Sequence, residues 1–257
     1  GFVVGGSGND NFNFGGAGST TVYGGAGNDS ILTGGAGDSV FAGDGNDSVF
    51  TGGGGDTVFF QGLDPGAMVA GQVGATQGSV IDTGSQVDVV VFENMSASAF
   101  HYNKVGNNGI SASVNGQNVN IYNAEVLKFN DGALVFTNSD DAAALIRLYE
   151  GILNRLPDAE GAKYWLEQIG KADIFSLFDY FIKSNEAQGV INSMNNEQFL
   201  TYLYQNSFNR IPDQSGHDYW MDKLNHGISK TEVIFYFMNS QEAEIVITGV
   251  QQLDGLV

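Results

Sequence analysis

The chain has 257 residues, with 29 Asp and Glu against 10 Lys and Arg, a formal charge of −19, 37 glycines and no cysteine. That balance leaves no basic patch for nucleic-acid phosphates, and without thiols neither a disulfide framework nor a zinc–thiolate site is possible. It favours multivalent cations, and the length suits two modest domains.

Composition changes along the chain. No Lys or Arg precedes Lys104, whereas Asp10, Asp29, Asp38, Asp44, Asp47, Asp56, Asp64, Asp82, Asp88 and Glu93 all do. Between Gly5 and Phe60 six nonapeptides follow one another: GGSGNDNFN, GGAGSTTVY, GGAGNDSIL, TGGAGDSVF, AGDGNDSVF and TGGGGDTVF. Their eighth place holds Phe12, Val22, Ile31, Val40, Val49 and Val58, nine residues apart from Val22 onward. A flexible glycine-rich linker would not keep apolar residues in one phase. Glycine permits positive φ and lets carbonyl oxygens crowd around a cation, and an Asp at the sixth place adds hard, charged oxygen. Such donors suit Ca²⁺ rather than a transition metal. An EF-hand starting at Asp44 fails, because its twelfth position is Gly55 rather than Glu.

In spacing and residue type the block resembles the RTX family of calcium-binding repeats. The resemblance implies a calcium-bound parallel β-roll in which each copy gives a turn and a short strand, and two copies complete a coil. It pairs Asp10 with Asp29 and Asp29 with Asp47 on one edge, and Asp38 with Asp56 on the other. Backbone carbonyls of Gly6, Gly8, Gly25, Gly27, Gly43 and Gly45 complete the sites for several Ca²⁺ ions. The sequence departs from the pattern at Thr20, which stands where Asp is expected, and at the extra Phe14. The fourth and sixth copies carry their glycine pair one place late. Asp44, Asp64 and Asp82 are candidate end ligands. Alternation sends the ninth-place residues Tyr23, Leu32, Phe41, Phe50 and Phe59 outward, as stripes that dock neighbours or that the protein's own elements shield.

The first domain is expected over 1–92, with an excursion near 61–77 and a degenerate copy returning at Asp82–Phe92, where Asp88 and Val90 take the Asp and apolar places. Residues 93–137 alternate like antiparallel strands around Asn108-Gly109 and Asn115-Gly116, and read as a β cap over the open end. Asn123–Gly132 resembles the segment that closes RTX arrays before a helical domain.

A helical domain is expected over 138–257, with an internal repeat at about 139–187 and 195–243. Asn154-Arg155-Leu156-Pro157-Asp158, Gly161, Tyr164-Trp165 and Ser184-Asn185-Glu186-Ala187 recur as Asn209-Arg210-Ile211-Pro212-Asp213, Gly216, Tyr219-Trp220 and Ser240-Gln241-Glu242-Ala243. Pro157 and Pro212 suit the first turn of a helix whose start Asp158 and Asp213 favour. Arg155 with Asp158 and Arg210 with Asp213 read as clamps on their own turns. The aromatic pairs read as core, with a sugar platform as the alternative. This part is similar to a helical domain of unknown function that follows RTX repeats in secreted bacterial surface-layer and matrix proteins.

Catalysis finds no support: His101, His217 and His226 are scattered, and neither a nucleophile elbow nor a P-loop is present. No apolar run is long enough to cross a bilayer. The opening Gly1-Phe2-Val3-Val4 places Val3 nine residues before Phe12, so the array is expected to continue upstream in a longer protein. The ending Leu253-Asp254-Gly255-Leu256-Val257 looks like the C-terminal signal of type I secretion substrates. The expectation is a multidomain β + α protein, not an enzyme, that is extracellular and calcium-dependent. It assembles with itself into a surface layer, filament or matrix, with cell-surface polysaccharide or upstream domains as further partners. The alternative is the folding and secretion module of a larger secreted enzyme, toxin or adhesin.

Overall fold

The structure is a computed structural model and describes residues 1–45, 47–60, 79–85, 87–92, 95–114 and 117–252. β-sheets fill the N-terminal half and helices the C-terminal half. Two compact units result, the first built of Gly1–Phe136 with Asp158–Lys163, the second of Thr137–Pro157 and Tyr164–Gln251. The excursion expected near 61–77 and the C-terminal signal at 253–257 lie outside the described residues.

The repeated copies of the first unit become short strands: β1 Phe2–Val4, β2 Asn11–Asn13, β3 Thr21–Ala26, β4 Ser30–Gly34, β5 Ser39–Asp44, β6 Ser48–Gly52 and β7 Thr57–Phe60. β8 Ser79–Asp82 and β9 Val89–Phe92 follow. Odd and even strands fall in different sheets. β1, β3, β5, β7 and β9 run parallel in one, and β2, β4, β6 and β8 in the other. Strand neighbours in a sheet are therefore two copies apart, with Val22 beside Val40 and Val40 beside Val58.

Period-two alternation turns the eighth-place residues inward. Val22, Ile31, Val40, Val49, Val58, Ile81 and Val90 are all fully buried. The ninth-place residues face outward, with Tyr23, Leu32 and Phe50 exposed and Phe41 half-buried. Tyr23, Phe41 and Phe59 stack along the outside of their sheet at centroid distances of 4.3 and 4.2 Å.

Five more strands complete the unit: β10 His101–Val105, β11 Gly109–Val114, β12 Gln117–Tyr122, β13 Val126–Phe129 and β14 Gly132–Thr137. β11 pairs antiparallel with both β10 and β12, and β13 pairs antiparallel with β14. The wholly antiparallel cap expected for this stretch is modified in one respect. β12 joins β8 in parallel and β13 joins β9 in parallel, so the cap extends both sheets through shared hydrogen bonds.

The second unit contains α1 Asp140–Ile146, α2 Leu148–Leu153, half of α3 Ala159–Gln168, α4 Ile174–Ile182, α5 Asn185–Ile191, α6 Asn196–Phe208, α7 Gln214–Asn225, α8 Lys230–Met238 and α9 Gln241–Val246. Short polar residues start them: Ser139, Asp173, Ser184, Asn195, Asp213, Ser229 and Ser240 each accept a backbone N–H of the first turn. The core joins Leu148, Ile152, Phe178, Phe199, Leu203, Phe237 and Met238.

The internal repeat is visible in the backbone, where α2 and α6 both end on an asparagine in the left-handed conformation, Asn154 at φ 52° and Asn209 at φ 51°. Pro157 and Pro212 stand just outside the helices rather than in their first turns. The following aspartates take the cap position, with Asp158 accepting from Gly161 N at 2.8 Å and Asp213 from Gly216 N at 2.9 Å. The arginines also reach a carboxylate beyond their own turns. Arg155 grips Glu186 at 2.8 and 3.1 Å, and Arg210 grips Glu242 at 2.5 and 2.9 Å, while Asp213 lies 3.6 Å from Arg210. A guanidinium matches a carboxylate with two parallel hydrogen bonds, the geometry that both glutamates supply. The aromatic pairs divide, with Trp165 buried but Tyr164 and Tyr219 exposed by 45% and 55%.

Candidate metal centre

The turns between strands form the two edges of the first unit, and their aspartates stack into columns. On one edge Asp10 N donates to Asp29 Oδ1 at 2.9 Å, and Asp29 N to Asp47 Oδ1 at 2.9 Å. On the other Thr20 N donates to Asp38 Oδ1 at 2.7 Å and Asp38 N to Asp56 Oδ1 at 2.8 Å. Asp10, Asp29 and Asp47 thus form one column and Asp38 and Asp56 another. Thr20 occupies its column through its backbone but brings no carboxylate.

These acids are deep. Asp29, Asp38, Asp47, Asp56 and Asp88 are all buried. Asp10 and Asp38 each use their second oxygen to accept a turn N–H, from Gly6 at 2.8 Å and Gly34 at 3.1 Å. At Asp29, Asp56 and Asp88 the Oδ2 atom is buried without a hydrogen-bond partner. An orphaned carboxylate oxygen in a dry site is costly unless a proton or a cation meets it. Burial accordingly raises the pKa of Asp56, takes Asp47 to about 6, and takes Asp88 to about 8.

Glycine lets consecutive coils close on one another at the same turns. Gly25 and Gly27 sit at φ +109° and +126°, and Gly43 and Gly45 at +98° and +133°. A Cβ on Gly43 would overlap the Gly25 carbonyl oxygen, and one on Gly45 would overlap that of Gly27. Gly6 and Gly8 differ: they lie outside the left-handed region with open space around them, and the Gly6 carbonyl accepts from Ala26 N at 2.9 Å. Of the candidate end ligands, Asp44 raises the Asp47 pKa through its charge, and Asp82 is held by Asn123 Nδ2 at 2.7 Å and Gly84 N at 3.2 Å. Asp64 lies outside the described residues.

Carboxylate and carbonyl oxygen make up this donor set, which suits a hard divalent cation. Among the described residues no three His, Cys, Asp or Glu side chains converge on a point, so an ion here would have to draw on backbone carbonyls for most of its shell.

Three features escaped sequence reasoning. Asp56 N donates to Asp88 Oδ1 at 2.7 Å and Asp88 N to Glu125 Oε2 at 3.0 Å, so the column runs past the glycine-rich copies into the cap. Only the degenerate copy at Asp88 signalled this. A buried threonine seam accompanies it: Thr33 Oγ1 donates to Thr51 O at 3.1 Å and Thr51 Oγ1 to Thr83 O at 3.0 Å. It accounts for the late glycine pairs, because the buried Thr33 and Thr51 take the first place of the fourth and sixth copies. Finally, Glu186 and Glu242 serve as the arginine partners, which the recurrence of Ser-x-Glu-Ala had marked.

Part of the helical half matches a family model. Residues 178–245 match a domain of unknown function, DUF4214. The match starts within α4 and ends in α9, covering the second copy of the internal repeat. It bears out the helical part of the resemblance seen in the sequence. No curated protein matches the chain. Among the described residues no helix is long and apolar enough to cross a membrane.

Proposed function

We propose that this chain is a secreted structural protein of a bacterial surface, whose first unit is an RTX-type β-roll that folds around calcium outside the cell. One observation carries the reading: buried aspartates form columns along both edges, and three of them each keep one oxygen without a hydrogen bond. Calcium supplies there the positive charge and oxygen coordination that water supplies in the unfolded chain. Asp10, Asp29 and Asp47 hold it on one edge and Asp38 and Asp56 on the other, with the carbonyls of the glycine turns. Metal binding and folding are then one equilibrium, so the ion acts as a switch that is off where calcium is scarce.

Self-assembly is the part of the proposal that rests on the outward faces. Exposed Tyr23, Leu32 and Phe50 and the stacked rings beside them offer apolar area for a second copy. The test is negative-stain electron microscopy of the purified chain in EDTA and after addition of millimolar calcium, with far-UV circular dichroism of the same samples. Ordered lattices or filaments that appear only with calcium are expected. Folding with calcium into dispersed monomers would refute assembly and favour an accessory module of a larger secreted protein. A spectrum unchanged by calcium would refute the switch.

A further inference from the structure

The acid column on the second edge changes character where the roll meets its cap. Up to Asp56 it is made of nonapeptide aspartates; beyond it come Asp88, from the turn before β9, and Glu125, just before β13. The hydrogen bonds continue unbroken, at 2.7 Å from Asp56 N to Asp88 and 3.0 Å from Asp88 N to Glu125. Asp88 is fully buried, and its Oδ2 has no hydrogen-bond partner. Gly84, four residues before Asp88, takes φ +87°, the same sign as Gly25 and Gly43 in the equivalent place of their turns.

Charge is unbalanced at this junction. Burial works against charge on both Glu125 and Asp88, and the neighbouring Asp56 and Glu125 carboxylates add to this at Asp88. Lys163, of the same unit, lowers the pKa of both Asp56 and Glu125. One ammonium thus serves two of the three stacked carboxylates. A hydrogen-bond donor would satisfy the Asp88 oxygen but not the charge, whereas a divalent ion satisfies both.

We infer that a further calcium ion binds between Asp88 and Glu125, outside the glycine-rich copies, and joins the last coil of the roll to the strand that caps it. The inference rests on the calcium reading given above. Asp88 offers the free Oδ2, Glu125 offers its second carboxylate oxygen, and backbone carbonyls of Thr83, Gly84 and Ser85 complete the shell. The ion ties β9 to β13, which already share a parallel ladder from Val89 to Val126 and from Val90 to Leu127. Calcium is then a fastener of the cap as well as a filler of the roll.

Calorimetric titration of the full chain with calcium alone tests this, comparing the parent with Glu125→Gln, Asp88→Asn and Asp29→Asn. Glu125→Gln keeps the acceptor for Asp88 N and should bind one ion fewer than the parent, with the calcium-induced circular dichroism change retained. Hydrogen exchange gives a second readout: calcium should slow exchange at 87–92 and 125–129 in the parent but not in Glu125→Gln, while 21–44 stays protected in both. Lys163→Gln leaves both carboxylates in place and should shift that ion's binding midpoint to lower calcium, a result that does not depend on Glu125→Gln folding. If Glu125→Gln and Asp88→Asn keep the parent's ion count, the inference falls while the calcium reading stands, provided Asp29→Asn loses ions. A parent that takes up no calcium refutes both.

Discussion

Asp29 offers the sharpest test of the calcium columns, because two substitutions separate its roles as hydrogen-bond acceptor and as charge. Its Oδ1 accepts from Asp10 N at 2.9 Å, its own N–H donates to Asp47, its Oδ2 has no partner, and the residue is 2% exposed. Asp29→Asn keeps the acceptor and removes the charge. In EDTA it should lie within about 1 kcal/mol of the parent or be more stable, since a buried carboxylate loses its desolvation cost and the Asp10 N–H keeps a neutral hydrogen bond. Asp29→Ala strands that N–H and should cost about 1–3 kcal/mol in EDTA. With calcium the order changes. Each site that binds only the folded state contributes about 2.7 kcal/mol when calcium stands at 100 times its Kd, and Asp29 serves two sites, so both variants should forfeit up to about 5 kcal/mol. Hydrogen exchange of peptides from 11–60 in rising urea, with EDTA and with calcium, reports the roll alone, whereas fluorescence of Trp165 and Trp220 reports the helical unit. If Asp29→Asn matched the parent in calcium as well as in EDTA, the column would hold no ion.

Three further outcomes follow from the geometry. Asp47 at about 6, Glu125 at about 7 and Asp88 at about 8 all lie above an unfolded carboxyl near pH 4, so the folded state binds more protons in between. Stability of the first unit in EDTA should therefore be greatest in acid and decline as pH rises from about 4 to about 8, and excess calcium should reverse that slope; urea midpoints at several pH values decide it. Gly43→Ala should destabilise the first unit by at least about 1–3 kcal/mol through its positive φ and the approach of the Gly25 carbonyl, whereas Gly6→Ala, with open space, should change thermal midpoints little. In the second unit Arg210→Lys loses the paired grip on Glu242 and the stacking over the Tyr204 ring at 4.9 Å, but on a partly exposed surface. A loss of about 1 kcal/mol or less in urea unfolding is expected, and a loss several times larger would mean that the clamp supports the core.

What the sequence revealed follows from which interactions are periodic. Val22, Ile31, Val40, Val49 and Val58 recur every nine residues because each coil repeats one environment, so strands, their inward faces and the pairing of every second copy were all readable. Glu125 was not, since it joins the column through a contact 37 residues distant along the chain and from a strand with no repeat of its own. The parallel entry of β12 and β13 escaped for a related reason. Alternation tells which face is buried but not which neighbour a strand takes, and both edge partners had to be in place first. In the helices, charge spacing pointed Arg210 to Asp213, which does lie 3.6 Å away, but the two-pronged grip goes to Glu242, a partner 32 residues distant that spacing within one turn could not show.

The hydrogen bonds of the acid columns all point one way. Thr20 gives its N–H to Asp38, Asp38 to Asp56, Asp56 to Asp88 and Asp88 to Glu125, so every coil relies on an acceptor that belongs to the coil after it. Such an array has a grain. Remove its first coil and every remaining donor keeps its acceptor; remove the last and Asp88 N is left without one, so Glu125 is the keystone of the row.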